Sequence, residues 1–187
     1  MEERKWERMW PPELPYDYTA MSLEKALVMI EASKEKSKQM GFNMTMAVCD
    51  AAGNQVALQR MDGAALLSVE IAINKAHSAV FGKIPTHQWG AFFKGAEPVI
   101  APLWFHSGWI TFMGGFPVII EGKIIGGFGC SGATWEDGVI ARAGLEVIGA
   151  DISGVDACLN DMGVLPDHAD SEHTRLFLEE EMYRVMG

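Results

Sequence analysis

The chain is poor in the features that usually announce a chemistry. Its 187 residues include only three cysteines, Cys49, Cys130 and Cys158. So sparse and odd a number argues against a disulfide framework and suits a reducing compartment. No Cys-x-x-Cys-His segment occurs, which excludes covalent haem attachment, and no Cys-x-x-Cys pair points to zinc. Positive charge is scarce as well: 15 Lys and Arg face 25 Asp and Glu, a formal net charge of −10. A nucleic-acid footprint needs a basic patch, and the only clusters are Arg4-Lys5 and the Lys34, Lys36, Lys38 helix face, which reads as solvated surface. No apolar run is long enough to span a bilayer. Glu2, Glu3, Arg4 and Lys5 open the chain without the apolar segment of a signal peptide. Gly-x-Ser-x-Gly is also missing. The expectation is a cytoplasmic protein with no nucleic-acid partner, no membrane partner and no metal site.

What is present is apolar. A 49% hydrophobic content over this length supports one domain with a sizeable core. Residues 1–20 read as an N-terminal arm, because Trp6, Trp10, Pro11, Pro12, Pro15, Tyr16 and Tyr18 carry little helical period. Such indole and phenol surface packs on the arm's own core or on a neighbouring subunit; both readings are open. Ser22 can cap a helix of about 18 residues that Gly41 ends, with Leu23, Ala26, Leu27, Ile30 and Ser33 as its buried stripe. Residues 44–49 and 55–61 form a hairpin across Asp50-Ala51-Ala52-Gly53-Asn54. Helices are expected over 66–81 and 86–93, and an aromatic loop over 98–109. A second hairpin turns at Glu121-Gly122-Lys123, a helix follows over 134–148, and a C-terminal helical extension covers 151–187. Two adjacent hairpins with intervening helices imply an α+β sandwich: an antiparallel sheet of four or five strands flanked by helices, within a domain spanning 21–150.

The segment from Gly114 to Gly132 concentrates the candidate site. Glycine does not favour strands, so glycines at the outer ends of a hairpin mark positive φ or close approach by something else. Gly114, Gly115, Ser131, Gly132 and Thr134 then form a bare-backbone pocket at a helix start, a place that favours small anions.

At this point the residues resemble a known group. Val48-Cys49-Asp50-Ala51-Ala52-Gly53, Arg60-Met61-Asp62-Gly63-Ala64, Asn74-Lys75-Ala76, Gly114-Gly115-Phe116-Pro117 and Gly126-Gly127-Phe128-Gly129-Cys130-Ser131-Gly132, followed by Asp137 and Ala143-Gly144-Leu145, are similar in order and kind to the GlcG/HbpS family, also found as the C-terminal domain of PduO proteins. The resemblance covers roughly residues 22–149. It implies a profilin-like sandwich, a homo-oligomer, and in some members haem binding. The 12 methionines and the arm's tryptophans point to association as well. Cys49, Cys130, Trp89, Trp135 and both terminal extensions depart from the family pattern.

The remaining candidates are these. Arg60 and Asp62, two apart at a strand end, share a face and form either an ion pair or a carboxylate clamp. Glu70, Asn74 and His77 line one helix face, either a Glu-His pair that binds a metal or shares a proton, or a solvated polar face, the reading preferred here. Lys75 lies among small apolar neighbours, either partly buried as an acid, base or anion clamp, or paired with Asp62. His106 and His87, beside Trp104 and Trp89, are the candidate axial ligands of a non-covalently held haem, His106 first. Cys130 before a helix start is either a nucleophile or a small core residue. Three functions follow. One is a small-ligand-binding protein that takes haem or another anionic ligand in the glycine-lined pocket. The second is a cofactor-independent isomerase, lyase or hydratase acting on a carboxylated catabolic intermediate, with Lys75, Arg60 and Asp62 as catalytic groups and Lys75→Met abolishing turnover in an intact fold. The third is an assembly subunit.

Overall fold

Ser22 caps α1 (Leu23–Met40), its hydroxyl accepting the Lys25 amide at 3.2 Å, and Gly41 closes the helix at φ 78°. Both ends are where the side-chain cap and the left-handed glycine place them. A computed structural model describes residues 15–93 and 108–164. After α1 come β1 (Thr45–Asp50) and β2 (Gln55–Arg60), a hairpin held at its turn by the Asp50 carboxylate, which accepts the Ala52 and Asn54 amides at 2.9 and 2.8 Å. Then follow α2 (Ser68–Gly82) and α3 (Thr86–Phe93). The second hairpin is β3 (Gly115–Ile120) and β4 (Lys123–Ser131). Its two turn residues, Glu121 and Gly122, both have positive φ, 51° and 71°, the geometry whose twist matches the strands. The chain closes on α4 (Glu136–Glu146) and α5 (Ser153–Asp161).

The strands form one antiparallel sheet in the order β2-β1-β4-β3, so the α+β sandwich is as expected. Helix α2 covers one face. α1 and α4 cover the other, around a core of Met29, Ile30, Met46, Val48, Phe116, Val118, Phe128, Ile140 and Leu145. The core does not stop at residue 150: Val155, Cys158 and Leu159 of α5, spaced i, i+3, i+4, are buried in it. Before α5, the Asp151 amide donates to Ile119 O at 2.8 Å on edge strand β3.

The described part of the N-terminal arm packs on its own chain. Where β1 ends, Pro15–Asp17 takes up the free edge of β4, with Ile124 N donating to Pro15 O and Asp17 N to Ile124 O. The Tyr16 hydroxyl donates to Val80 O at 3.1 Å, and its ring joins Cys49, Ala76, Val80 and Ile124. Trp6 and Trp10 lie outside the described residues.

One expectation for α1 is corrected. Ala26, Ile30 and Ser33 are buried, but Met29 and Ser37 complete the stripe, while Leu23 and Leu27 are 56% and 41% exposed. The reason is a close helix crossing. A Cβ on Gly144 of α4 would stand 2.5 Å from Ser33 Oγ and 2.8 Å from Met29 O. Contact that tight needs small residues facing it, and it turns the leucines outward.

Candidate functional site

The strand register gathers several sequence-predicted residues at one end of the sheet. Thr45 is paired with Arg60 on one side and with Ser131 on the other. Arg60 and Ser131 therefore stand two strands apart, roughly 10 Å. Arg60 and Asp62 are both exposed. The guanidinium reaches Ala64 O at 3.4 Å, and among the described residues no ion pair joins Arg60 to Asp62. The expected pair is corrected: β2 ends at Arg60, so Asp62 lies beyond the alternation that would have put the two on one face.

Lys75 is fully buried, and its partner is Asp137, not Asp62. Its ammonium donates to Asp137 Oδ2 at 2.5 Å and to Cys130 O at 2.9 Å, and it lies 4.9 Å from the centre of the Phe112 ring. The side chain leaves α2, passes the glycine end of β3 and reaches the first turn of α4 on the far side of the sheet. A Cβ on Gly114 would stand 2.8 Å from Nζ and 2.8 Å from Asp137 Cβ. Asp137 uses its second oxygen to accept the Ala133 amide at 2.9 Å. Burial pushes the Asp137 carboxyl up from its ordinary value, against the downward pull of Lys75 and of the Ala133 amide. The arrangement pins two helices across the sheet. It leaves Lys75 without solvent access, which corrects its reading as an anion clamp.

The anion cradle is corrected in the same way. The Ala133 amide is taken by Asp137, and the Thr134 amide and hydroxyl by Glu136 Oε2 at 3.1 and 2.9 Å. The chain supplies its own carboxylates where a ligand was expected. The glycines do mark close approach, but what approaches is α2. A Cβ on Gly129 would stand 2.0 Å from Ala72 O, and one on Gly115 would stand 2.5 Å from Lys75 O. Gly114, Gly115 and Ser131 are buried, and only Gly132 and Thr134 face solvent. Cys130 is a core residue whose thiol is pushed up by burial, the reverse of an activated nucleophile.

The other sides of α2 carry a feature the sequence hides. Asn74, Ser78 and Gly82 face the strip at 108–110: Gly108 abuts Asn74, Ser78 Oγ accepts the Ile110 amide at 2.8 Å, and Gly82 leaves room for Trp89 and Trp109. These two indoles meet edge to face at 5.4 Å. One row around the helix, His77 and Phe81 sit one turn apart, ring centres 5.9 Å from each other. Helical spacing groups His77 with Glu70 and Asn74 on a solvated face, and this is corrected. Glu70 is exposed, but His77 Nε2 is shielded from solvent and has no hydrogen-bond partner among the described residues. Leaving a buried acceptor or donor unserved costs about 1–3 kcal/mol. The sequence carries two signals at His77, its helical spacing from Glu70 and Asn74 and Phe81 one turn on. His87 is half-buried on α3. His106 lies outside the described residues. Among the described residues no cluster of His, Cys, Asp and Glu is arranged to hold a metal ion by itself, and no helix is long and apolar enough to cross a membrane.

Comparison with known proteins bears on this architecture. The chain is 34% identical over 128 residues to an uncharacterised 15.0 kDa protein from the dhaT-dhaS intergenic region of Citrobacter freundii, covering 67% of this chain and 90% of that one. Its fold is similar to that of a PduOC–haem complex at TM-score 0.66 and 30% identity, covering 71% of this chain and 98% of that one. It is also similar to HbpS at TM-score 0.64 and 32% identity, covering 71% and 93%. Residues 21–146 match the HbpS-like family, described as haem-degrading proteins. With more than half its length matched and the sandwich reproduced, the chain belongs to the HbpS-like family.

Proposed function

We propose that this protein binds haem, without covalent attachment, against the aromatic side of α2. The observation that carries the reading is the likeness to a haem-loaded domain over nearly the whole of that domain. The residues present fit the group. Phe81 and Phe112 are exposed and offer flat apolar surface on this side of the sheet, where His77 and Trp109 are half-buried. Aromatic side chains suit a porphyrin face. Bound haem would supply redox and ligand-binding chemistry at its iron. The chain's part is to hold the macrocycle and shield it from water. Non-covalent binding agrees with the thiols: all three cysteines are buried.

The small-molecule enzyme loses support. Lys75 and the loop amides are engaged within the chain, and Arg60 and Asp62 do not converge with them. Haemin titrated into the purified full-length protein tests the proposal. A saturable 1:1 shift of the Soret band is expected, and the pigment should pass wholly into acidified organic solvent. A folded protein that leaves the haemin spectrum unchanged refutes it.

A further inference from the structure

The sequence contains Asp-Gly twice, as Asp62-Gly63 and as Asp137-Gly138. Asp-Gly is the pair in which an aspartate converts most readily to isoaspartate. Glycine has no Cβ to shield its amide nitrogen, and its backbone freedom lets the peptide unit swing toward the preceding carboxyl group. We infer that Asp62-Gly63 is a site of this backbone modification in the folded protein, and that the fold protects Asp137-Gly138 from it.

The two pairs differ at every atom the reaction uses. Asp62 and Gly63 are both exposed. They are the central residues of the turn that Ala64 N closes on Met61 O at 3.1 Å, with Gly63 at φ 81°, the place in a four-residue turn where glycine is favoured. Among the described residues the Gly63 amide donates to no acceptor, and the Asp62 carboxylate accepts from no donor. In the second pair all of these groups are engaged. Asp137 is 1% exposed, its carboxylate accepts from Lys75 Nζ and from the Ala133 amide, and Gly138 N donates to Trp135 O at 2.9 Å. Helix α4 also holds the peptide unit between them in helical geometry.

The step needs no partner but water. The Gly63 nitrogen bonds to Asp62 Cγ and the Cγ–O bond breaks. The oxygen leaves as water, taking the amide proton and one proton from solvent, and a succinimide ring remains. Water then adds at the carbonyl next to Cα and breaks its bond to nitrogen. Glycine is left joined through Cγ, a free carboxylate stands on Cα, and the proton returns to solvent. Nothing is oxidised or reduced, and the composition is unchanged. The main chain gains one carbon between β2 and α2, inside the turn whose Ala64 carbonyl accepts from the Arg60 guanidinium.

The experiment ages the purified full-length protein at neutral pH, natively and in urea. Isoaspartate is then labelled with a protein isoaspartyl methyltransferase and an isotopic methyl donor, and located by peptide mapping. The native sample should gain label in the peptide holding residues 62–63 and none in the peptide holding 137–138. The urea sample should gain it in both, because the unfolded chain treats the two pairs alike. Asp62→Glu keeps the charge but would need a larger ring; it should lose the label at this position and melt as wild type does. If the native sample stays unlabelled at 62–63 while the urea sample is labelled there, the inference is wrong and the turn is held as firmly as the helix. Equal native labelling of both pairs overturns it as well, since the fold would then protect neither.

Discussion

Lys75→Met is the sharpest test of the buried pin. The substitution keeps length and removes charge, leaving Asp137, 1% exposed, without its counter-ion. It also frees Cys130 O, which loses its side-chain donor. Breaking one side of a buried pair costs about 3–5 kcal/mol, out of a total stability of about 5–15 kcal/mol for a domain. At about 2–4 °C per kcal/mol for a chain of this size, the melting temperature should fall by about 6–20 °C. The expectation that Lys75→Met spares the fold is therefore reversed. Lys75→Met/Asp137→Asn should recover part of the loss. The introduced asparagine keeps an oxygen for the Ala133 amide, and its amide group can serve the Cys130 carbonyl. The two single losses should exceed the double loss by about 1–3 kcal/mol. The pH dependence has a definite sign. The Asp137 carboxyl in the fold sits above its ordinary 3.8, so the folded state holds this proton to higher pH than the unfolded chain. For this group acidification favours the fold. Without Lys75 the folded value rises further, and the Lys75→Met deficit should shrink as pH falls from about 7 toward about 4. Chemical denaturation of the four proteins at several pH values measures all of this. A Lys75→Met loss below about 1 kcal/mol at neutral pH, or a deficit that grows on acidification, would refute the reasoning.

Gly129→Ala places a methyl 2.0 Å from the Ala72 carbonyl oxygen, a backbone atom that cannot rotate away, and should cost about 3 kcal/mol. Gly122→Ala meets nothing within 4 Å and bears only its φ of 71°, so it should cost about 1–2 kcal/mol; reversal of that ranking in urea melts would show that α2 does not rest on the glycines. The thiols of Cys49 and Cys158 are pushed up to about 12 by burial and that of Cys130 is raised too. None of the three should react with a disulfide reagent at mildly alkaline pH until denaturant is added, and rapid native labelling would contradict the burial. The protein should associate, because Leu23 and Leu27 on α1 and Leu66 and Leu67 before α2 are left exposed. Light scattering should give a mass above the 20.5 kDa chain, and Leu27→Glu or Leu67→Glu should lower it; a wild-type monomer at micromolar concentration would contradict this.

Short-range signals in the sequence carry the local structure. Ser22 and Gly41 set both ends of α1, alternation and the Glu121-Gly122 turn set the hairpins, and the order of elements implies the antiparallel sandwich. Each of these depends on neighbours within a few residues, so period, cap and turn chemistry suffice to read them. The glycines of β3 and β4 announce that something comes close, but not what. Only the packing of α2 on the sheet shows that a helix backbone fills the space where a ligand was expected. Lys75 likewise announces burial, while its partner lies 62 positions away and is reached across the sheet; Asp62, nearer in sequence, points elsewhere. The burial of His77 is invisible for the converse reason. Helical spacing places it with Glu70 and Asn74, and spacing cannot tell which nitrogen loses water when other elements close over one side of a helix. Burial, and with it the chemistry of a charged or titratable group, is a property of the whole fold, which is why the elements could be read from the chain and the site could not.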